Sequence, residues 1–219
     1  MLLTIAKALA SADLARIHDA ISIIRFEPGR ETAGWAADSV KANLQADAVA
    51  GTERLQDDIN AALLSNETFQ LAARPKRLIG PLISRYEPGH RYGAHVDNAI
   101  LDGARADLAF TVFLAAPDAY DGGELVIESA ASEESFKLAA GDMVLYPATT
   151  LHRVAPITRG VRVVAAGWVR SYIRDAHQRE LLFDLDTARH QLFAQHGKTS
   201  EFDLLSKCSA NLMRQWCDD

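Results

Sequence analysis

The sequence predicts an α+β chain in which a double-sheet jelly roll is preceded by N-terminal helices and followed by a C-terminal helical hairpin. Residues 76–172 carry apolar runs of four to nine residues separated by turn signals, the pattern of a sandwich or barrel. Residues 1–75 and 173–219 instead repeat apolar residues every three or four positions, the helical period. With 48% hydrophobic and 24% charged residues over 219 positions, the chain is long enough for one substantial core. The three zones therefore read as a central core with helical appendages.

In the first zone, Leu14, Ile17, Ile21 and Ile24 fall on one helical face behind Ser11, a candidate N-cap, and Leu55, Ile59 and Leu63 repeat the spacing. Between these helices, Phe26–Arg30 and Gly34–Trp35 suggest a turn and a short strand. In the third zone, Leu181, Leu185, Ala188 and Leu192 share a face, and Gly197 can end that helix. Ser200 with Asp203 resembles a capping box opening a second helix, whose apolar face continues through Leu205, Cys208, Leu212 and Trp216. This hairpin either packs on the barrel or forms a homo-oligomer interface.

The second zone opens with the strand-like run Leu78–Tyr86 and the turn Glu87-Pro88-Gly89, and leads into Tyr92-Gly-Ala-His95-Val-Asp97. With 7 His in 219 residues, a His-x-Asp arises by composition about half a time, so the tripeptide means little without its context. Residues i and i+2 of a strand share a face, so His95 and Asp97 at a strand end can meet one ion. Residues 98–108 follow directly and form either a lid over that ion or a surface loop. Further strands are expected at Phe110–Leu114, Glu124–Glu128, Ser135–Leu138 and Met143–Tyr146, with Asp121-Gly122-Gly123-Glu124 as a tight connection.

His152 alone would be a core histidine satisfied by a backbone carbonyl, but it opens the strand His152–Pro156 after a turn at Tyr146-Pro147. Ile157–Gly160 then turns the chain back into Val161–Val169, a hairpin by its length and glycine. Arg162 sits inside this apolar strand, and a buried guanidinium needs an anion. That anion is either a carboxylate of the protein or the distal carboxylate of a dicarboxylate co-substrate held by the planar fork. Two histidines and one carboxylate leave one side of a metal open, as in non-haem Fe(II) oxygenases. Across the hairpin, ion and anion clamp would be within reach of one five-carbon molecule.

These residues resemble the Fe(II)/2-oxoglutarate-dependent dioxygenases of the prolyl-4-hydroxylase-like branch, most closely the bacterial PKHD-type hydroxylases, some of which are described as iron-uptake factors. The likeness runs through Tyr86-Glu-Pro-Gly, Tyr92–Asp97, Asp121–Leu125, Gly141-Asp142, Tyr146-Pro147, Leu151-His152, Gly160–Arg162 and Trp168–Ser171, and extends to the tail around Glu201–Lys207. It implies a double-stranded β-helix, or cupin-like jelly roll, with Fe(II) on His95, Asp97 and His152, and 2-oxoglutarate on Arg162. It further implies that Tyr86 approaches the co-substrate, that Tyr92 and Trp168 line the substrate side, and that ascorbate re-reduces the iron after uncoupled turnover. A hydroxylase acting on a peptide or small molecule follows. A cupin-type metalloenzyme without 2-oxoglutarate leaves Arg162 unexplained, whereas a non-catalytic iron or 2-oxoglutarate sensor keeps all four residues and differs only in turnover.

A net charge of −6 without a basic run argues against nucleic acid as a partner. Cys208 and Cys217, nine apart, match neither a zinc ribbon nor a disulfide framework and read as packing residues in a reducing compartment. The N-terminus lacks a basic n-region and a long apolar h-region, and no stretch approaches 18 apolar residues. A cytoplasmic protein without a membrane partner is expected.

Overall fold

Alternation of side chains across the central strands lets the chain build two antiparallel sheets that face each other over a shared interior. The computed structural model describes residues 1–29, 38–47, 50–129 and 132–218. The larger sheet has seven strands: β1 (Leu3–Ile5), β2 (Phe26–Pro28), β4 (Leu44–Ala46), β5 (Pro75–Tyr86), β9 (Leu108–Phe113), β13 (Met143–Pro147) and β16 (Arg162–Ser171). They run in the order β1-β13-β9-β16-β5-β4-β2. The smaller sheet has the order β12-β11-β14-β6-β3, from β3 (Lys41–Ala42), β6 (Arg91–His95), β11 (Leu125–Glu128), β12 (Glu133–Phe136) and β14 (His152–Val154). Two ribbons complete the strands: β7 (Ile100–Leu101) with β8 (Ala104–Arg105), and β10 (Tyr120–Gly122) with β15 (Ile157–Gly160).

Helices α1 (Ser11–Ile23), α2 (Ala50–Ser65) and α3 (Glu67–Ala73) cover the outer face of the larger sheet. Ile17, Leu55, Ile59 and Leu63 are buried there with Phe69, Ile83, Phe110, Val112 and Ala165. Fully burying each such side chain is worth about 1.5–3 kcal/mol, so this layer secures the larger sheet from behind. A second cluster, including Phe113, Tyr120, Leu125, Ile127 and Val144, fills part of the space between the sheets.

The first zone holds more strand than its periodicity suggests. β1 pairs with β13, β2 and β4 extend the edge of the larger sheet beside β5, and β3 joins β6 in the smaller one. Segments of two or three residues are too short to show a period. The expected turn and strand at Gly34–Trp35 lie outside the described residues. Ser11 does not cap α1: the N-cap is Ala10, without a side-chain hydrogen bond.

The hairpin expected between His152 and Arg162 does not form. β14 belongs to the smaller sheet and β16 to the larger, and Ile157–Gly160 is the strand β15, paired with β10. The intervening chain therefore crosses from one sheet to the other. Gly122 makes that crossing possible at φ 76°, because a Cβ there would lie 2.0 Å from the carbonyl oxygen of Pro156.

The tail forms α4 (Ala176–His196) and α5 (Ser200–Trp216), with Gly197 as the C-cap of α4 at φ 67°. The cap of α5 is Thr199 rather than Ser200, its hydroxyl accepting from the Phe202 amide at 3.3 Å. The buried face of α4 is also rotated from the expected one. Arg179, Leu182 and Asp186 are buried, whereas Leu181 is exposed at 53%. Asp186 accepts from Arg74 at the end of α3, from Ser209 on α5 at 2.8 Å and from Arg189 at 3.0 Å. A polar hub, invisible to apolar periodicity, thus fixes the rotation of α4. Cys208 is exposed rather than packed, and both cysteines are free thiols.

Candidate metal and co-substrate site

The cavity between the sheets has a volume of about 540 Å³. Residues directly opposite across a sheet point to the same face, so register decides what lines it. Arg162, Val164, Ala166 and Trp168 of β16 face inward, beside Tyr86, Ser84 and Leu82 of β5. Thr111 and Ala109 of β9 and Tyr146 of β13 continue this wall. The opposite wall is the smaller sheet, where β14 pairs with β6 so that His152 stands directly across from His95.

His95, the last residue of β6, and Asp97 just beyond it meet His152 at one point, and a ligand atom from each lies within 4.8 Å of the other two. The two imidazole centroids are 4.2 Å apart, and His152 Nε2 is 3.8 Å from Asp97 Oδ1. Each histidine places Nδ1 against a carbonyl two residues back, Gly93 at 2.9 Å and Thr150 at 3.0 Å. Such a bond fixes Nδ1 as the protonated nitrogen and leaves Nε2 as a lone-pair donor. Burial and the neighbouring His152 lower the His95 pKa to about 4, so its ring is neutral near pH 7. Burial raises the Asp97 carboxyl pKa, against opposing effects of His152 and Trp168. Asp97 Oδ2 and Trp168 Nε1 are buried beside each other, and neither makes a hydrogen bond of normal geometry. Two imidazoles whose Nδ1 atoms are taken up by carbonyls, set beside one buried carboxylate, fit a divalent cation.

Tyr92 stacks on His95 with centroids 3.6 Å apart and planes at 18°. Tyr146 meets His152 edge-on at 5.2 Å. These rings restrict the imidazoles on their outer faces. Residues 98–108 contain the β7–β8 ribbon, which turns through Asp102 and Gly103 at φ 47° and 71°. Asn98, Ala99 and Leu101 from this stretch line the cavity beside Asp97, as a short ribbon at its mouth.

Arg162 lies across the gap, on the opposite sheet from the histidines, with 1% of its surface exposed. Its Cζ is 5.0 Å from the Tyr86 ring and 5.6 Å from the Phe113 ring. No carboxylate of the described residues forms an ion pair with it, and Nε and Nη1 have no hydrogen-bond partner. The option of a protein carboxylate thus finds no support, and the guanidinium faces a cavity with unused donors. Gly123 makes room beside it, since a Cβ there would lie 3.0 Å from Arg162 Cδ.

Sequence reasoning missed the wall formed by Lys41, Asn43 and Gln45, three buried polar residues at alternate positions that all line the cavity. The alternation in Lys41-Ala-Asn43-Leu-Gln45 carries the signal, but with the polar residues inward, opposite to the usual sense. Tyr120 was missed as well; its buried hydroxyl lies beside Arg162.

Residues 81–170 match the 2OG-Fe(II) oxygenase superfamily, and residues 176–218 match the PKHD-type hydroxylase C-terminal domain. The chain is similar over its full length to PKHD-type hydroxylases of Acaryochloris marina, at 50% identity, and of a Picosynechococcus species, at 51%, covering 100% of each. Among solved structures it resembles a Pseudomonas putida prolyl-4-hydroxylase, with 19% identity, a TM-score of 0.53, and 78% of this chain and 92% of that one covered. It also resembles a Trichoplax adhaerens prolyl hydroxylase in complex with a hypoxia inducible factor oxygen degradation domain peptide fragment, at 16% identity and TM-score 0.59, with 82% and 86% covered. These two likenesses show a shared fold, the expected double-stranded β-helix.

Proposed function

Because the chain belongs to the PKHD-type hydroxylases of the 2OG-Fe(II) oxygenase superfamily, we propose that His95, Asp97 and His152 hold the Fe(II) and that Arg162 anchors the distal carboxylate of 2-oxoglutarate. The reaction class couples decarboxylation of 2-oxoglutarate to succinate and CO2 with hydroxylation of a substrate, and bound Fe(II) supplies its redox centre. The observation that carries the site reading is the pairing of two incomplete halves. Three ligand atoms within 4.8 Å of one another occupy the smaller sheet, and a buried arginine with two orphaned nitrogens faces them from the larger.

The protein's own work is positioning and exclusion of water. The Gly93 and Thr150 carbonyls hold the imidazoles in the tautomer that ligates through Nε2. The Asp97 carboxylate supplies the charged ligand, and a nearby dication offsets the burial that otherwise raises its pKa. The guanidinium of Arg162 lies over the rings of Tyr86 and Phe113, which restrict it by cation–π contact. Tyr92 and Trp168 form the walls next to the ligand set and face the substrate.

A peptide side chain or small molecule enters past the β7–β8 ribbon, and the peptide-bound Trichoplax relative supports the peptide option. Ascorbate serves as external reductant, and the site works in the cytoplasm. No helix among the described residues is long and apolar enough to cross a membrane. The exposed side chains Leu181, Phe193 and Leu204 on α4 and α5 offer a surface for a second copy. The deciding experiment incubates the iron-loaded protein with 2-oxoglutarate, O2 and peptide or metabolite libraries. Succinate formation together with a product heavier by one oxygen is expected. Tight 2-oxoglutarate binding with no turnover on any substrate would instead indicate a sensor.

A further inference from the structure

Asn43 stands where the chain passes between the sheets, after β3 of the smaller one and before β4 of the larger. β4 pairs with β5 through Leu44 opposite Arg85 and Gln45 opposite Ser84. Extending that register by one residue sets Asn43 opposite Tyr86, which in turn stands opposite Arg162 on β16. Opposed residues share a face, so Asn43, Tyr86 and Arg162 form one row across the floor of the cavity. The Asn43 backbone carbonyl accepts from the Gly29 amide at 2.9 Å. Its Oδ1 occupies space that a Cβ on Gly29 would invade at 2.3 Å, so a glycine there leaves room for this rotamer.

The carboxamide is 4% exposed and lines the cavity beside the Tyr86 hydroxyl, yet neither Nδ2 nor Oδ1 makes a hydrogen bond of normal geometry. A buried amide left unpaired is unfavourable unless something else completes it. Among the described residues lining this end of the cavity, Arg162 Nε and Nη1 and the Asn43 amide make no hydrogen bond of normal geometry. Arginine only donates, and the amide nitrogen adds two further donor hydrogens. This surplus of donors calls for a ligand rich in acceptors, and a carboxylate offers about four lone-pair sites. The ion-binding end is different, because there Asp97 Oδ2 supplies an acceptor beside Trp168 Nε1.

We propose that Asn43 is a further co-substrate-binding residue, its Nδ2 donating to the distal carboxylate that Arg162 anchors. The inference rests on the co-substrate reading above and adds to it a contact from the strand crossover. Asn43 thereby helps the enzyme select a dicarboxylate keto acid over a monocarboxylate one.

The test is isothermal titration of the full-length Mn(II)-loaded protein with 2-oxoglutarate and with 2-oxobutyrate, which keeps the keto acid end and lacks the distal carboxylate. Asn43→Leu should weaken 2-oxoglutarate binding about ten- to a hundredfold and leave 2-oxobutyrate unchanged. Asn43→Asp, of the same size and shape, should lose more, because it sets a second carboxylate against the ligand's. Mn(II) stoichiometry reports that the variants are folded, and if the leucine variant is not, the aspartate variant decides. An unchanged preference for 2-oxoglutarate, or equal losses with both ligands, overturns the assignment. Arg162→Leu separates the two readings. If that variant loses the preference and the Asn43 variants keep it, only the role of Asn43 fails; if it too keeps the preference, the anchor itself lies elsewhere.

Discussion

His95 and His152 take their orientation from the carbonyls of Gly93 and Thr150, so each imidazole is set before any ion arrives. His152→Ala removes one of the three proposed ligands and should abolish stoichiometric Mn(II) binding without unfolding the sheets. Equimolar titration followed by metal analysis checks this, and full occupancy would contradict the ligand assignment. The lowered pKa of His95 has a second consequence. An unfolded histidine takes up its proton near pH 6.5, whereas the folded ring resists until about pH 4. Between these values the unfolded state binds more protons, so stability must fall as pH falls through that window. Urea midpoints of the metal-free protein at pH 7, 6, 5 and 4.5 should drop more steeply than those of His95→Gln. Parallel curves for the two proteins would remove His95 from the linkage.

At the scale of elements, the placement of His95 and Asp97 side by side was legible because its context is local: strand, Pro-Gly turn, strand end, then the two residues within three positions. Leu55, Ile59 and Leu63 were legible because α2 is long enough to repeat its period, and all three are buried. The β14–β16 relation was not legible. A four-residue segment ending in Gly160 has the form of a hairpin turn, and only its pairing with β10 reveals a sheet-to-sheet crossing. Lys41, Asn43 and Gln45 escaped notice because the strands that hold or flank them are two or three residues long and the stretch turns polar side chains inward. The rotation of α4 escaped for another reason: its deepest residue after Leu182 is a carboxylate. Asp186 is 1% exposed and ties α4 to Arg74, Arg189 and Ser209. Replacing it by asparagine strands the buried side of Arg74, and losing one partner of a buried pair costs about 3–5 kcal/mol. Asp186→Asn should therefore lower the urea midpoint markedly while Mn(II) affinity holds, since no residue of α4 lines the cavity. A loss of metal binding at unchanged stability would mean that the helical pair supports the site directly.

At the scale of the whole molecule, the site is divided between two sheets. Every candidate metal ligand belongs to β6, β14 or the residues just after β6, whereas Arg162 belongs to β16. A cation alone therefore links neighbours within the smaller sheet. In the proposed arrangement 2-oxoglutarate, held by that cation and by Arg162, would span the gap and join the two sheets, so its binding would draw on the whole sandwich. Ligand held at a hundred times its Kd stabilises the folded state by about 2.7 kcal/mol. For a chain of this size that corresponds to a rise in Tm of roughly 5–10 °C. Thermal unfolding should show a first increment with Mn(II) and a second with Mn(II) plus 2-oxoglutarate, and little change with 2-oxoglutarate alone. In Arg162→Ala the first increment should persist and the second should largely vanish, because the chelating end remains and the anchor across the gap is gone. A second increment of full size in that variant would show that the co-substrate does not bridge the sheets through this residue.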